Sequence, residues 1–554
     1  MAAAPYPRPD FVRTKLVWQS LNGLWDFIFD DDNVGLLEDW HLNGLPSEAK
    51  STQHNSTLRK RTIEVPFVFQ SKASGINEQD IHEVLWYERT IKDLRYERAT
   101  PADNRLLLRF GAVDYEARVW LNGIDVGSHR GGHVPFDLDL TDAIILLSRL
   151  NSAGPYRLTV RVFDSATDTS QPRGKQYWGP VPESIWYTPS SGIWQNVWLE
   201  SVPKVRIADP SFGTILRAHD SDGGELDARI AVLGRSAGVH YLVNVEVNLE
   251  GLMTEACGSA FPKDEDFVRE RVAMRLRERR IQQLPQSFLQ NVSPEDRSCW
   301  REGVALWSPE HPVLYDVIIR LFNKSFEGEL LDEVKTTIGV RSLNWTAGDG
   351  TFRLNGGPYF QALLLDQGYW PDTLMTPPTQ DSLKKDIELS KAMGFNGCRK
   401  HQKVEDPAFL YWADRLGFLV WGEMASCHRF SIDATDRFEK EWMEMVGRDI
   451  NHPCVVTWTP ANESWGYPQL SSNIRQRNHL RSLYYQTKTL DWTRPINDNC
   501  GWDHVVTDLS TFHSYDDADG MEKRCTSIGS IIDSGRSMFL RPIHGVDGEY
   551  DQDT

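Results

Sequence analysis

The sequence predicts a multidomain chain: two all-β sandwiches followed by an α/β barrel. Three observations carry this reading. From Leu16 to about Glu200, short segments alternate apolar and polar residues between turn signals. A second alternating region runs from about Ser201 to Arg341. From about Leu343 the rhythm changes to strand, helix, strand, as in the βαβ units of a parallel sheet or barrel.

In the first region, Arg105–Phe110, Ala117–Leu121 and Tyr156–Val162 read as strands. Leu121-Asn122-Gly123-Ile124 is a hairpin with an Asn-Gly turn. Gly192 to Glu200 is the expected closing strand. In the second region, Leu242–Leu249 and Leu314–Leu321 alternate with period two, and the size fits an immunoglobulin-like module. Inside it, Lys263 to Leu284 reads as a charged, helix-prone loop insertion. Val268, Val272 and Leu276 are spaced four apart there.

In the third region, helices are expected over 381–393, 406–416 and 438–450, with strands at 394–399, 418–421 and 455–458. Strands centre near 360, 396, 419, 456, 496 and 509, followed by a helix-like piece over 521–539. The expected domains are therefore 1–201, 202–343 and 344–554.

A chain of 554 residues is too long for one core and implies about three or four domains. The net charge of −18 argues against a nucleic-acid or anionic-membrane partner, which would call for basic patches. Seven Cys without a spacing pattern give neither a disulfide framework nor a zinc site. No signal-like or membrane-length apolar run is present, so a cytoplasmic protein is the default expectation. The sequence carries no expectation of oligomeric state.

Twenty Trp is a large share for the rarest side chain. Trp25, Trp86 and Trp120 fit a sandwich core, whereas Trp370, Trp465 and Trp502 fall at expected strand ends, where flat rings can stack on sugars.

The segment with the most chemical content is Asn451-His452-Pro453, then Val455-Val456-Thr457-Trp458, then Asn462-Glu463. A helix ends, a short apolar strand follows, and its carboxyl end delivers an Asn-Glu pair. In a barrel of alternating strands and helices, that end is where chemistry is placed. A carboxylic acid there can protonate a leaving oxygen.

Further motifs follow in order: Leu21-Asn22-Gly23-Leu24-Trp25, Trp86-Tyr87-Glu88-Arg89, His129-Arg130-Gly131-Gly132-His133, Ser191-Gly192-Ile193-Trp194-Gln195, Trp307-Ser308-Pro309-Glu310-His311-Pro312, Leu354-Asn355-Gly356-Gly357-Pro358 and Asp414-Arg415-Leu416-Gly417-Phe418. Together with the Asn-Glu segment they resemble glycoside hydrolase family two, the group of β-galactosidases, β-glucuronidases and β-mannosidases. The resemblance covers nearly the whole chain. It implies a jelly-roll sugar-binding sandwich, an immunoglobulin-like sandwich and a TIM barrel. It also implies retaining hydrolysis of a terminal β-glycoside, with β-galactoside favoured by family frequency and β-glucuronide or β-mannoside remaining open.

On this resemblance Glu463 is the acid/base, and Asn462 hydrogen-bonds the sugar 2-hydroxyl. Arg399 supports the site. His401 stands one position early against the usual Arg-x-Ser-His, so a surface histidine is its alternative. Asp366, Trp502 and His513 are further candidates for sugar contact, with Tyr515 beside His513. No acidic cluster commits the chain to a metal, and no cofactor is expected.

The nucleophile of such a site is a glutamate after the seventh barrel strand. The strand count reaches about six of eight, so the barrel is expected to be incomplete and the nucleophile to lie beyond Thr554. Glu549, in Gly548-Glu549-Tyr550, is a weak candidate because no apolar strand precedes it. A chain so truncated is expected to be poorly soluble and without turnover. The alternative reading is a catalytically inactive carbohydrate-binding homologue.

Overall fold

The computed structural model describes residues 5–96, 103–150, 154–219, 223–324, 328–347 and 350–523, apart from 518 and 521. Glu549 and most of the expected 521–539 helix lie outside the described residues.

The first sandwich packs a six-stranded antiparallel sheet against a four-stranded one. The six strands, in spatial order, are Ile124–Arg130, Glu116–Leu121, Tyr156–Phe163, Val84–Ile91, Gly23–Phe29 and Arg61–Val65. The four are Phe136–Asp139, Arg105–Phe110, Val197–Val202 and Val17–Ser20. Alternation does the folding. Leu106, Leu108 and Phe110 point one way into the shared core, as do Leu158, Val160 and Val162 from the facing sheet. Asn122 (φ 47°) and Gly123 (φ 82°) are both left-handed, the signature of the twist-matched two-residue hairpin. Trp25, Trp86 and Trp120 are buried core residues.

The second sandwich has a five-stranded sheet of Phe11–Arg13, Glu329–Ile338, Tyr315–Asn323, Tyr241–Leu249 and Leu252–Ala260. A smaller sheet around Glu225–Leu233 faces it. Two particulars differ from the sequence reading. The strand Phe11–Arg13 pairs with Glu329–Ile338, so this early segment, placed by the 1–201 division with the first sandwich, joins the second. The 263–284 stretch is not mainly helical. Phe267–Ala273 is a strand paired with Glu225–Leu233, followed by a single helical turn, Glu278–Ile281. Val268 and Val272 are indeed buried together. A spacing of four is also two steps of period two, so it could not discriminate strand from helix.

Barrel strands Leu363–Asp366, Gly397–Lys400, Leu419–Glu423 and Val455–Thr459 form one parallel sheet. The connecting helices are Gln380–Ala392, Pro407–Leu416 and Ile432–Asp449. Their starts are set by side-chain caps. Thr379, Asp406 and Ser431 each accept a backbone N–H of the first turn, each worth about 1 kcal/mol. Capping by Ser431 explains why the third helix begins ahead of the expected residue 438.

A fifth rung follows. Trp458 bridges Ile496, and Ala461–Asn462 pairs in parallel with Asn499–Cys500. The sixth strand expected near 509 is not formed among the described residues. Instead the 508–513 segment runs alongside the fifth rung with two backbone bonds, Asp508 N to Ile496 O (2.8 Å) and His513 N to Gly501 O (3.3 Å). Thr511 Oγ1 fills between them, accepting from Gly501 N at 2.9 Å. A side chain substituting in the ladder keeps the segment irregular.

The Asn-His-Pro motif is a structural joint. Asn451 accepts from Leu216 N (2.8 Å) and donates to Thr214 O (3.2 Å), tying the barrel to the second sandwich. His452 Nδ1 meets Asp414 Oδ2 at 2.6 Å in the interior, and Asp414 also accepts from Cys454 N. The first sandwich reaches the barrel through its long 164–191 connection: Arg173 N and Gly174 N both donate to Ser426 O at 3.0 Å. Among the described residues, no helix is long and apolar enough to cross a membrane.

Candidate active site

The strand Val455–Thr459 ends at Pro460, and the paired segment Ala461–Asn462 carries the chain to Glu463, whose N–H donates to Cys500 O at 3.0 Å. Glu463 (φ 49°) and Ser464 (φ 57°) are then consecutively left-handed. Such a conformation costs a non-glycine residue about 1–3 kcal/mol and persists only when its surroundings impose it. Asn499 does so, accepting from Ser464 N (2.8 Å) and donating to Ser464 Oγ (2.9 Å). The turn lifts the Glu463 carboxylate into a pocket of about 550 Å³ at the carboxyl ends of the barrel strands.

His513 Nδ1 donates to Glu463 Oε1, and Tyr515 OH donates to the same oxygen at 3.3 Å. The His513 bond holds the Glu463 carboxyl below the usual range, against the opposing pull of burial. Burial also disfavours a charged His513, but contacts with Cys500 and Glu463 outweigh it and push the ring up to about 9. At neutral pH the resting pair is therefore carboxylate and imidazolium.

Arg399 is the hub behind this pair. Its Nη2 donates to Asn462 Oδ1 (2.8 Å) and to His401 Nδ1 (2.6 Å), and its Nη1 donates to Cys500 Sγ (2.6 Å). Its Nε lies 3.0 Å from Glu423 Oε2, a fully buried carboxylate. Burial works against the Arg399 charge, and Glu423 overcomes it. Cys500 shows the reverse balance: burial would raise its thiol, and Arg399 brings it below the ordinary value. His401 Nδ1 also lies 3.2 Å from Glu423 Oε1, so Arg399 and Glu423 together fix the ring.

The spacing of His401 has a simple geometric outcome. Residues two apart on a strand share a face. Arg399 and His401 therefore both turn toward the pocket, while Lys400 turns away to Asp366 (2.6 Å) and Glu405 (2.9 Å). Asp366 is thereby engaged with Lys400 and Gly368 N, and does not line the pocket. Trp502 is half exposed and is not among the lining residues either. Glu463, Arg399, His401 and His513 line the pocket together, and Asn462 touches it through Arg399, with its own Nδ2 unpartnered among the described residues. Trp465 lines it as well.

Three contributors escaped sequence reasoning. Glu423 ends the third barrel strand, and the strand-end rule could have flagged it. Cys500 ends the two-residue strand Asn499–Cys500, which has no pattern of its own. Lys175 comes from the first sandwich, on a connection whose destination no local signal reveals. Three groups of His, Cys and Asp could hold a metal ion by geometry: Asp31/His54/His82, Asp296/Cys299/His311 and Asp414/His452/Cys454. None of these residues lines the pocket.

Comparison with known proteins gives the same organisation. Residues 18–203 match the description "Glycosyl hydrolases family 2, sugar binding domain", 272–341 match "Glycosyl hydrolases family 2", and 378–554 match "Glycosyl hydrolases family 2, TIM barrel domain". A β-galactosidase of Thermoanaerobacter pseudethanolicus is 24% identical over 451 residues, covering 79% of this chain and 49% of that protein. The chain thus spans about half the length of that relative. A β-glucuronidase of Felis catus is 24% identical over 591 residues, covering 99% of this chain and 79% of the relative. The structure of a β-glucuronidase from Ruminococcus gnavus in complex with D-glucuronic acid aligns with a TM-score of 0.65 at 20% identity, over 90% of this chain and 74% of that one. At that identity it speaks to fold alone. The chain belongs to glycosyl hydrolase family 2, a family of glycoside hydrolases, with a sugar-binding sandwich, an immunoglobulin-like sandwich and a TIM-barrel domain.

Proposed function

We propose that this chain carries the acid/base half of a retaining exo-glycosidase acting on terminal β-linked sugars, with Glu463 as the proton-transferring group. The observation that carries the reading is the Glu463 carboxylate, held by His513 and Tyr515 on the wall of the barrel-end pocket. Asn462 stands behind Glu463, held by Arg399 at 2.8 Å, and its Nδ2 is buried and unpartnered among the described residues.

A retaining mechanism needs a second carboxylate about 5–5.5 Å from the first. While that partner is ionised, its charge raises the acid/base and keeps a proton on it for the leaving oxygen; once glycosylated it is neutral, and the acid/base falls back to take a proton from water. The contact with His513 suits the second state. Glu463 is the sole carboxylate among the described residues lining the pocket. The nucleophile therefore belongs, in this proposal, after the described residues, where Glu549 is the candidate within the chain.

The same observation favours a second reading, a carbohydrate-binding homologue without turnover. Both β-galactosides and β-glucuronides enter the proposal, because both names occur among the relatives. Incubating the purified chain with aryl β-galactoside and aryl β-glucuronide tests it. Turnover abolished by Glu463→Gln supports the glycosidase; binding without turnover supports the lectin-like reading. If Glu549→Gln also abolishes turnover, the nucleophile lies within the chain.

A further inference from the structure

Among the described residues, the pocket holds one cation without a paired counter-charge, in a chain whose net charge is −18. Lys175 is 4% exposed, yet it lines the pocket beside Glu463, Arg399 and His513. Arg399 is offset by Glu423, and His513 by Glu463. Among the described residues, Lys175 has no ion pair and no hydrogen bond from Nζ. Its Nζ lies 5.3 Å from the Trp186 ring and 5.2 Å from the Trp465 ring. Such ring contacts offset less than the effective cost of desolvating an ammonium. Burial correspondingly lowers the Lys175 ammonium, and only the charge of Glu463 opposes this.

The placement of Lys175 is enforced by the backbone. Gly174 is left-handed (φ 60°) and packs so closely on the Gln402 carbonyl that no side chain fits. With Arg173 N and Gly174 N both bonded to Ser426 O, the loop is clamped onto the barrel, and the next residue is directed into the pocket. A desolvated, uncompensated cation on a fixed loop is a preorganised anion receptor.

We propose that Lys175 is a specificity-determining residue that receives a carboxylate of the substrate, so that the preferred glycoside is a uronide rather than a neutral galactoside. This rests on the glycosidase reading of the pocket. The carboxylate can belong to the terminal sugar or to the residue on the leaving side, and both have the same chemistry at Nζ.

The test is a binding titration of the full chain, followed by intrinsic fluorescence of the adjoining Trp186 and Trp465. The ligands are methyl β-D-glucuronide against methyl β-D-glucoside, and a β-galactosyl-glucuronic acid disaccharide against its uncharged galactosyl-glucose counterpart. A desolvated charged hydrogen bond predicts that one acidic ligand binds about 10- to 100-fold more tightly than its neutral partner. The arm that shows the preference identifies the sugar that carries the carboxylate. In Lys175→Met the ratio falls to about one, and in Lys175→Arg much of it returns, provided both variants keep the wild-type melting temperature. Equal binding of acidic and neutral ligands by the wild type, or a preference that survives Lys175→Met, overturns this proposal alone. Absence of binding by every ligand overturns it together with the glycosidase reading.

Discussion

Glu463 and His513 meet at the mouth of the barrel through one hydrogen bond, Nδ1 to Oε1, and each shifts the protonation of the other. The carboxyl is held down and the imidazole is held up. Removing the ring with His513→Ala releases the carboxyl toward its ordinary value. The alkaline limb of the kcat/KM–pH profile, where the acid Glu463 loses its proton, then moves to higher pH. An alkaline limb unchanged in that variant would show that His513 does not control Glu463.

The same pair has a signature in stability. His513 has its charged form stabilised in the fold, raised from 6.5 to about 9. Its contribution is fully present below about pH 6.5 and is lost as the pH rises through about 9. Glu463 is shifted the other way, so its contribution is present above its unfolded value and is lost in acid. The difference in melting temperature between the wild type and His513→Gln should therefore shrink between pH 6.5 and 9. A constant difference across that window would contradict the assignment.

Arg399 holds Asn462, His401 and Cys500 from a single planar fork. Lysine cannot reproduce three directed contacts. Displacement of site groups by about 1 Å costs about 100-fold in rate. Arg399→Lys is expected to lower kcat/KM by about that factor, while circular dichroism stays unchanged.

Asp366 provides a contrast. It bonds Lys400 and Gly368 N and does not line the pocket. Asp366→Asn is expected to lower stability by about 1–3 kcal/mol in denaturant unfolding, the range for a charged hydrogen bond. Ligand affinity should not change. A tenfold loss of affinity at unchanged stability would restore it to the sugar site.

His452 and Asp414 form a buried pair at the joint of barrel and second sandwich, 7% and 5% exposed. His452→Ala leaves the Asp414 carboxylate buried without its cation. A loss of about 3–5 kcal/mol is expected, read as a lower urea midpoint.

Period-two alternation carried the two sandwiches, because a strand with one buried face writes that face into every second residue. The three barrel helices were legible as elements, but the third begins at Ile432 rather than near 438, because the Ser431 cap carries no apolar period of its own. Where a pattern served two periods, as at Val268 and Val272, local reasoning read a helix-prone loop insertion and the sheet chose strand. Near 509 the strand pattern was present, but Thr511 takes a backbone partner's place.

The chain by itself thus determined the domain order, the family and the acid/base candidate, since these follow from short-range periodicity and contiguous motifs. Which side chains meet around Glu463 was decided by tertiary structure alone. His513 arrives 50 residues later in the chain, Glu423 lies under Arg399, and Lys175 comes from another domain. Asp366 and Trp502, equally good at strand ends on paper, are turned elsewhere. Strand-end position says which mouth a residue is near. Only the twist of the strand, the neighbours that claim its charge and the docking of a distant loop determine whether it faces the pocket.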